Sequence, residues 1–237
     1  MRVDFAIPAY NEVPIIAESV RVVREALASI PGVEGRVLVV DNASTDGTGE
    51  VVRALGHPDV LVIDVGVKGK GAAIVAAAQN SDAELFGFVD ADLSADPIHA
   101  TSLIAALSSG AHIAIGSRLH PDAKIDRSFL RTLSSRAFNA LRQLMVGIRV
   151  RDSQCGIKFT NREGLKHLRL CEETGWFFEI EWLARAERAG LTIAELPISW
   201  QEFRYPGRKS KLRVVRDGIA AVAAFLRIRN RLRKTYG

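Results

Sequence analysis

Apolar runs and helical patterns alternate regularly along the first half of the chain. Five short apolar runs predict strands at 3–7, 36–40, 60–65, 85–89 and 112–115. Helical patterns occupy the intervals between them, at 13–29, 48–55, 71–79 and 97–107. Short, continuously apolar strands separated by helices are typical of a mostly parallel sheet covered on both faces. We therefore predict an α/β fold.

The second half is less regular. Helices are predicted at 129–145 and 178–189, and strands at 155–160, 191–197 and 199–203. An amphipathic helix is predicted at 211–233, and its apolar positions are Val214, Val215, Ile219, Val222, Phe225 and Leu226. Because no repeat or low-complexity linker interrupts the chain, we expect one domain at 1–210 followed by a basic amphipathic helix at 211–237.

Composition adds a cellular setting to this picture. The 237 residues are 48% hydrophobic and 25% charged, which is ordinary for a folded soluble protein. The two cysteines, Cys155 and Cys171, have no metal-ligand spacing and favour a reducing compartment. The N-terminus has the pattern of a first strand rather than of a signal peptide, and no apolar run has the roughly 20 residues of a membrane span. We expect a cytoplasmic protein.

The net charge of +5 is concentrated near the C-terminus. The basic residues there are Arg204, Arg208, Lys209, Lys211, Arg213, Arg216, Arg227, Arg229, Arg231, Arg233 and Lys234. Such a cluster is either a solvated helix face or a contact surface for phosphate groups or an anionic membrane. Both interpretations remain open at this point, and nucleic acid is not expected as a partner.

Polar or charged groups follow all five predicted strands of the first half. The clusters are Pro8-Ala9-Tyr10-Asn11-Glu12, Asp41-Asn42-Ala43-Ser44-Thr45-Asp46, Lys68-Gly69-Lys70-Gly71, Asp90-Ala91-Asp92 and Gly116-Ser117-Arg118. In open α/β sheets, ligands bind outside the carboxyl ends of the strands. These clusters therefore predict a binding site along one edge of the sheet.

Asp90 and Asp92 suggest the chemistry of that site. Two carboxylates at i and i+2 after a buried strand repel each other unless a cation lies between them. Mg²⁺ and Mn²⁺ prefer such oxygen ligands and are commonly shared with substrate phosphates. The alternative interpretation is a polar turn that ends a strand.

Several common catalytic motifs are absent from the sequence. The segment Gly66-Val67-Lys68-Gly69-Lys70-Gly71 lacks the spacing of a P-loop, and no G-x-G-x-x-G follows the first strand. Neither H-E-x-x-H nor G-x-S-x-G occurs. A dinucleotide cofactor and the common hydrolase mechanisms are therefore not expected.

The remaining motifs, in their order, resemble those of the family 2 glycosyltransferases, which have the GT-A nucleotide-sugar fold. The first group is Pro8-Ala9-Tyr10-Asn11-Glu12, Asp41-Asn42-Ala43-Ser44-Thr45-Asp46-Gly47-Thr48, Lys70-Gly71 and Asp90-Ala91-Asp92. The second group is Gly116-Ser117-Arg118, Asp152-Ser153-Gln154-Cys155-Gly156-Ile157-Lys158, Trp176-Phe177-Phe178-Glu179-Ile180-Glu181, Glu195-Leu196-Pro197-Ile198-Ser199-Trp200 and Ser210-Lys211-Leu212. Together they resemble the polyprenyl-phosphate glycosyltransferases, particularly the dolichyl-phosphate β-glucosyltransferases, and the similar dolichyl-phosphate mannose synthases.

The resemblance implies a set of donor-binding residues. These are Pro8, Ala9, Tyr10 and Glu12 around the nucleoside, Asp41 at the base, Lys70 near the base or diphosphate, and Asp90 and Ala91 beside the ribose or sugar. It further implies that Asp92, with Asp90, binds Mg²⁺ or Mn²⁺. Mannose synthases of this type often have Gln after D-x-D, whereas this chain has Leu93, so waters or phosphate oxygens would complete the metal shell.

The resemblance also implies the reaction and its catalytic residues. The reaction is an inverting transfer of a hexose to a polyprenyl phosphate, and the expected donor is UDP-glucose. Because this acceptor is a membrane lipid, the resemblance also implies a protein that is peripheral on the cytoplasmic face of a membrane. Mg²⁺ or Mn²⁺ at Asp92, aided by Arg118, would stabilise the leaving diphosphate, and Asp152 would be a base or an acceptor-site carboxylate. The residues that would bind the acceptor phosphate are Arg118, Gln154, Arg204, Ser210 and Lys211. GDP-mannose as donor, a soluble acceptor, and a catalytically silent nucleotide-binding protein remain as alternatives.

The aromatic and acidic residues near 180 are assigned from helical spacing. Trp176, Phe177 and Phe178 are expected in the core more than in the site. Glu179 and Glu181 are two positions apart on a predicted helix and face different directions, so at most one is expected in the site.

Overall fold

A computed structural model describes residues 1–126, 129–201 and 214–236 of the chain. Its strands are β1 (Arg2–Ala9), β2 (Glu34–Asp41), β3 (Val60–Asp64), β4 (Leu85–Val89), β5 (Ile113–Ser117), β6 (Lys124–Asp126), β7 (Ile157–Asn161), β8 (Ile193–Pro197) and β9 (Ser199–Gln201). Its helices are α1 (Val13–Ala28), α2 (Thr48–Ala54), α3 (Lys70–Gln79), α4 (Ala100–Ser108), α5 (Phe129–Val146), α6 (Arg162–Arg169), α7 (Phe178–Arg188) and α8 (Val214–Tyr236).

Seven of these strands form one sheet in the order β3-β2-β1-β4-β7-β5-β8. Every neighbouring pair in it is parallel except those made by β7, which runs antiparallel between β4 and β5. The carboxyl ends of the six parallel strands therefore lie along one edge of the sheet. This arrangement confirms the predicted α/β fold with a mostly parallel sheet.

Helices cover both faces of the sheet, and each face has its own hydrophobic cluster. On one face, strand residues such as Phe5 and Phe159 pack with apolar residues of α1 and α4. The ring centroids of Phe5 and Phe159 are 4.7 Å apart. On the other face, Phe88 packs with Phe178 and Trp182 of α7. Because both faces are buried, the strands are apolar at nearly every position, which is why the sequence shows short continuous runs.

A third hydrophobic cluster joins α8 to α5 and α7. Its α8 members are Ala221, Phe225, Ile228 and Leu232, which recur at helical spacing and are all buried. The predicted apolar stripe was therefore wrong in part: Phe225 is buried, but Val222 and Leu226 are 38% and 47% exposed. The structure leaves the side chains at 214–219 outside its description. The division of the chain at 210/211 stays a prediction.

The predicted elements agree with the observed ones apart from their ends and two omissions. Helix α6 was not predicted because its sequence shows little apolar periodicity. Five of its eight residues are charged or histidine, and only Leu165 and Leu168 are large apolar residues that face the core. Strand β6 has three residues and exists through its pairing with β9, which no local pattern indicates. Within the described ranges, none of the helices combines the length and the apolarity needed to cross a bilayer.

Candidate active site

The loops that follow β1 and β2 are joined by hydrogen bonds between backbone and side chains. The Asn11 N–H donates to Ser44 Oγ at 3.0 Å, and the Thr45 N–H donates to Asn11 Oδ1 at 2.9 Å. Asp41 accepts from the Ser44 N–H at 2.9 Å and from the Gly49 N–H at 3.1 Å. These short polar residues satisfy the backbone of a tight double loop, so the edge of the sheet is rigid before any ligand binds.

Backbone strain is concentrated at the same edge. Among the described residues, three non-glycine residues have positive φ: Asn11 at 53°, Ala43 at 59° and Leu93 at 49°. They follow β1, β2 and β4 respectively. A left-handed conformation costs roughly 1–2 kcal/mol for most L residues, and such strain tends to cluster at functional sites. The edge predicted from the polar clusters is thus also the strained part of the fold.

The residues predicted to surround the nucleoside lie at the end of β1 and just after it. Pro8 and Ala9 pair with the last residues of β2, and the N–H of the buried Glu12 donates to Thr48 Oγ1 at 2.9 Å. The Tyr10 ring has the Lys68 ammonium 3.7 Å from its centroid. Lys68 belongs to one of the polar clusters predicted from the sequence, but it had no individual role in that prediction.

The turn after β4 presents two carboxylates and buries the residue behind them. Asp92 Oδ1 accepts from the Ser94 N–H at 3.1 Å, and the Leu93 side chain is fully buried. The carbonyl of Ala91 accepts from Ser19 Oγ on α1 at 2.6 Å. Leu93 therefore packs in the core, and the turn is fixed from below by a serine on the buried face of α1. That serine was missed, although a polar residue among the apolar positions of α1 is a recognisable signal.

Lys70 lies at the first position of α3 and connects Asp90 to a buried carboxylate. Its ammonium is 2.6 Å from Asp90 Oδ1 and 2.8 Å from Glu179 Oε1. Burial would lower the pKa of Lys70, but the two carboxylates outweigh it and hold the pKa above its usual value. The Trp176 ring centroid is 5.4 Å from the same ammonium. Lys70 is therefore a permanently charged cation beside the D-x-D turn.

Arg118 and Asp152 form a bidentate ion pair on the other side of that turn. Arg118 Nε and Nη2 each lie 2.8 Å from an Asp152 oxygen, and the Arg118 N–H donates to Asp152 Oδ2 at 2.9 Å. Burial would raise the pKa of Asp152, but the guanidinium outweighs it and holds the pKa below its usual range. A carboxylate in this state accepts a proton poorly, whereas it fixes the plane of the guanidinium well.

Gln154 and two charged residues complete the interior of the site. Gln154 Nε2 donates to Glu179 Oε2 at 3.3 Å and to the Trp176 carbonyl at 3.3 Å. Lys158, which is fully buried on β7, lies 3.2 Å from Glu179 Oε2. Lys158 was missed as a site residue, although one charged residue inside an apolar strand is a clear signal of a buried ion pair.

The two predictions made for the segment 176–181 have different outcomes. Phe178 is buried as expected, but Trp176 is 56% exposed and lies over Lys70, so its assignment to the core was wrong. Glu179 and Glu181 do face different directions: Glu179 binds Lys70, whereas Glu181 binds Arg185 of its own helix. The predicted acceptor residues Arg204, Ser210 and Lys211 lie outside the described residues.

The oxygen ligands that a divalent cation needs are sparse here. In the described part of the chain, no group of three or more His, Cys, Asp or Glu side chains is arranged to bind a metal. Two carboxylates, Asp90 and Asp92, occur on one turn, and Asp90 is already bound to Lys70. Mg²⁺ is typically held by one or two carboxylates with substrate phosphates, so this pair fits a cation that arrives with a diphosphate.

The comparisons with known proteins identify the family. The family model described as glycosyl transferase family 2 matches residues 4–169. The chain therefore belongs to glycosyl transferase family 2, and the resemblance found in its motifs is confirmed. Glucosyl-3-phosphoglycerate synthase from Mycobacterium tuberculosis, solved with UDP, is similar in structure with a TM-score of 0.69. It is 22% identical, and the match covers 97% of this chain and 80% of that one, which confirms the GT-A fold.

Curated relatives are similar over most of this chain. Glycosyltransferase AglD of Haloferax volcanii is 34% identical over 96% of this chain and 37% of its own length. Dolichyl-phosphate beta-glucosyltransferase ALG5C of Trichomonas vaginalis is 30% identical over 84% of this chain and 63% of its own length. Undecaprenyl-phosphate mannosyltransferase of Micrococcus luteus is 31% identical over 85% of this chain and 84% of its own length. The chain thus spans less than two thirds of the length of the first two relatives.

Gly156 provides a test of the position of Asp90. A Cβ at residue 156 would lie 2.5 Å from Asp90 Oδ2, so Gly156→Ala should push Asp90 away from Lys70. We expect the affinity for a nucleoside diphosphate, probed with UDP and Mn²⁺ in titration calorimetry, to fall about tenfold. Gly66→Ala is the control. Gly66 lies at the same edge of the sheet, and a Cβ there would meet no atom within 4 Å. Equal affinities of the two variants would contradict the importance of this contact.

Proposed function

We propose that the chain is a catalytic domain that transfers a hexose from a nucleoside diphosphate sugar to a polyprenyl phosphate, with inversion and with UDP-glucose as donor. The observation that carries the proposal is the arrangement around the turn after β4. The carboxylates of Asp90 and Asp92 lie at the end of β4, and Arg118 follows β5, with only β7 between those two strands. A donor diphosphate and an acceptor phosphate fit the two sides of such a turn.

The donor side is the edge formed by the loops after β1, β2 and β3. Tyr10 and Lys68 form a cation–π pair there, and Asp41 retains acceptor capacity beyond its two backbone bonds. In the proposal, Pro8, Ala9, Tyr10 and Glu12 enclose the nucleoside, and Asp41 accepts from an N–H of the base. The Lys70 ammonium, held by Asp90, faces the diphosphate and supplies positive charge to it.

Asp92, together with Asp90, binds Mg²⁺ or Mn²⁺ in this proposal. When bound, the cation supplies further positive charge to the departing nucleoside diphosphate. The Leu93 side chain contributes no ligand because it is a hydrocarbon, and it is buried in the core. Support comes from a structural neighbour, glucosyl-3-phosphoglycerate synthase, which was solved with Mn²⁺ and UDP-glucose.

The acceptor side contains Arg118 and a cavity of about 530 Å³ beside the turn. The Trp200 ring lines this cavity, and its centroid is 5.8 Å from the Arg118 guanidinium. A phosphate monoester is a dianion near neutral pH and already nucleophilic, so no base has to remove a proton. An acceptor oxygen attacks the anomeric carbon while the bond to the diphosphate breaks, and the nucleoside diphosphate leaves with the electron pair. Asp152 then serves to orient Arg118, as its lowered pKa favours.

The names of the relatives support the acceptor class more than the sugar. Dolichyl-phosphate beta-glucosyltransferases and an undecaprenyl-phosphate mannosyltransferase share a lipid phosphate in their names but differ in the hexose. Glucose is the first choice because the segment 152–156 resembles the glucosyltransferases of this family more than the mannosyltransferases. We place the protein at the cytoplasmic face of a membrane because a polyprenyl phosphate lies in a bilayer.

The exposed side of α8 is the membrane-contacting surface in this proposal. Val222 and Leu226 are exposed there, and Arg229 and Arg233 follow on the same side at spacings of seven and eleven residues from Val222. Arg227 and Arg231 bind Glu173 instead. An exposed apolar stripe continued by arginines is typical of a helix in the headgroup plane.

A panel of donors and acceptors tests the function. UDP-glucose and GDP-mannose are each incubated with a short polyprenyl phosphate or with glycerol phosphate, in the presence of Mg²⁺ or Mn²⁺. We expect glucosyl transfer to the polyprenyl phosphate, detected by mass spectrometry of the lipid product. Transfer to glycerol phosphate alone would overturn the acceptor assignment, and mannosyl transfer alone would overturn the donor assignment.

Asp92→Asn tests the metal assignment. The variant removes the charge but keeps an oxygen that accepts from the Ser94 N–H, so the fold should be retained. We expect turnover to fall about 100-fold or more, because stabilisation of the leaving group is lost. Treatment of the wild type with EDTA should have a similar effect. Asp122→Ala, on an exposed carboxylate, is the control; a variant at Asp92 with the turnover of that control would contradict the assignment.

Exchange of Arg229 and Arg233 for Gln tests the membrane surface. Each arginine near an anionic bilayer contributes about 1 kcal/mol, so the double variant should bind phosphatidylserine vesicles at least about tenfold more weakly in sedimentation. The control is the double exchange of Arg21 and Arg53 for Gln, which removes the same charge from α1 and α2. Equal losses in both variants would indicate a general charge effect and not a binding face.

A further inference from the structure

A lysine is buried at the centre of the sheet. Lys158 has no exposed surface, and it pairs through its backbone with Phe88 of β4 and Ile115 of β5. An unpaired ammonium at such a position would be very unfavourable, so its partners determine why it is tolerated. Those partners are the Glu179 carboxylate, at 3.2 Å, and the Cys155 carbonyl.

The first partner connects Lys158 to the carboxylate turn. Glu179 is 1% exposed, and its other oxygen lies 2.8 Å from the Lys70 ammonium. Lys70 in turn lies 2.6 Å from Asp90 Oδ1. Charges of alternating sign thus run from the middle of the sheet to the D-x-D turn, and their sum is zero.

The second partner connects Lys158 to the other side of the site. Cys155 belongs to the loop that begins at Asp152, whose carboxylate orients Arg118. In the same loop, the carbonyl of Gly156 accepts from the Asp90 N–H at 3.1 Å. One buried ammonium therefore contacts both the chain of charges on the donor side and the loop on the acceptor side.

We propose that Lys158 is a positioning residue, which sets Lys70 beside Asp90 through Glu179 and sets the Arg118–Asp152 pair through the Cys155 carbonyl. The inference rests on the proposed function and deepens it, because it names a residue that acts on both substrate subsites without reaching either. Without the Lys158 charge, Glu179 has Lys70 as its nearest remaining ammonium, and the sum over the chain becomes −1. Lys70 is then drawn away from Asp90, and the donor diphosphate meets a more negative surface.

Lys158→Met is the direct test, since Met is unbranched like Lys and only one atom shorter, and it removes the charge. We expect UDP to bind about tenfold more weakly with Mn²⁺ in titration calorimetry, and KM for the donor sugar to rise by a similar factor. Thr160→Val is the control for stability alone: Thr160 is buried on the same strand and its hydroxyl donates to the His112 carbonyl. This control should lower the melting temperature but leave UDP affinity unchanged.

A double variant keeps the test decisive if the single one does not fold. Lys158→Met with Glu179→Gln removes both members of the buried pair, which is better tolerated than removal of one. The sum of charges returns to zero, so UDP affinity should recover to within about threefold of the wild type. We expect kcat to be about tenfold below the wild type in both variants, because the Cys155 loop is unsupported in each.

The outcomes separate the two proposals. Wild-type values of UDP affinity and KM in Lys158→Met, with only the melting temperature lowered, would overturn the positioning role. Wild-type kcat in the double variant would overturn it as well. Failure of the wild-type chain to bind either UDP or GDP would instead contradict the proposed function itself.

Discussion

The buried carboxylate of Glu179 between two ammonium groups is the interaction on which the site depends. A charge that is 1% exposed requires close partners, and Lys70 and Lys158 provide them from α3 and β7. This requirement fixes where three elements meet: the start of α3, the start of α7 and the centre of the sheet. Because Lys70 also binds Asp90, the position of the D-x-D turn follows from the same interaction.

The rest of the sheet edge is fixed by backbone groups that short polar side chains satisfy. Asp41 accepts the Ser44 N–H of its own loop, and Asn42 accepts the Gly69 N–H of the loop after β3. Asn11 bridges the loops after β1 and β2. The strained conformations of Asn11, Ala43 and Leu93 persist because these bonds and the burial of Leu93 over-determine them. A site built in this way holds its donors and acceptors in place before the substrate arrives, which is what electrostatic stabilisation of a leaving group requires.

The basic residues of helix α8 lie on two sides of the helix, and one side is attached to the domain. Arg227 and Arg231 bind Glu173, and Arg231 also reaches Glu172 and Glu181, so these arginines attach the helix to the domain together with Phe225 and Ile228. Arg229, which is half-buried, and the exposed Arg233 lie on the side of the helix opposite to Arg227 and Arg231. A net charge counted from composition makes no such distinction, since it treats a satisfied arginine and a solvated one alike.

The sequence by itself determined the α/β class, the polar edge of the sheet and every element except α6 and β6, because these follow from local patterns: apolar runs, helical spacing and polar residues after strands. It also singled out Asp90, Asp92, Lys70, Arg118 and Asp152. Only the tertiary structure decided their partners. Lys70 and Glu179 are 109 positions apart, and Arg118 and Asp152 are 34 apart, so no local pattern pairs them. The antiparallel insertion of β7 likewise joins strands distant in sequence, and it alone places Lys158 beneath the site.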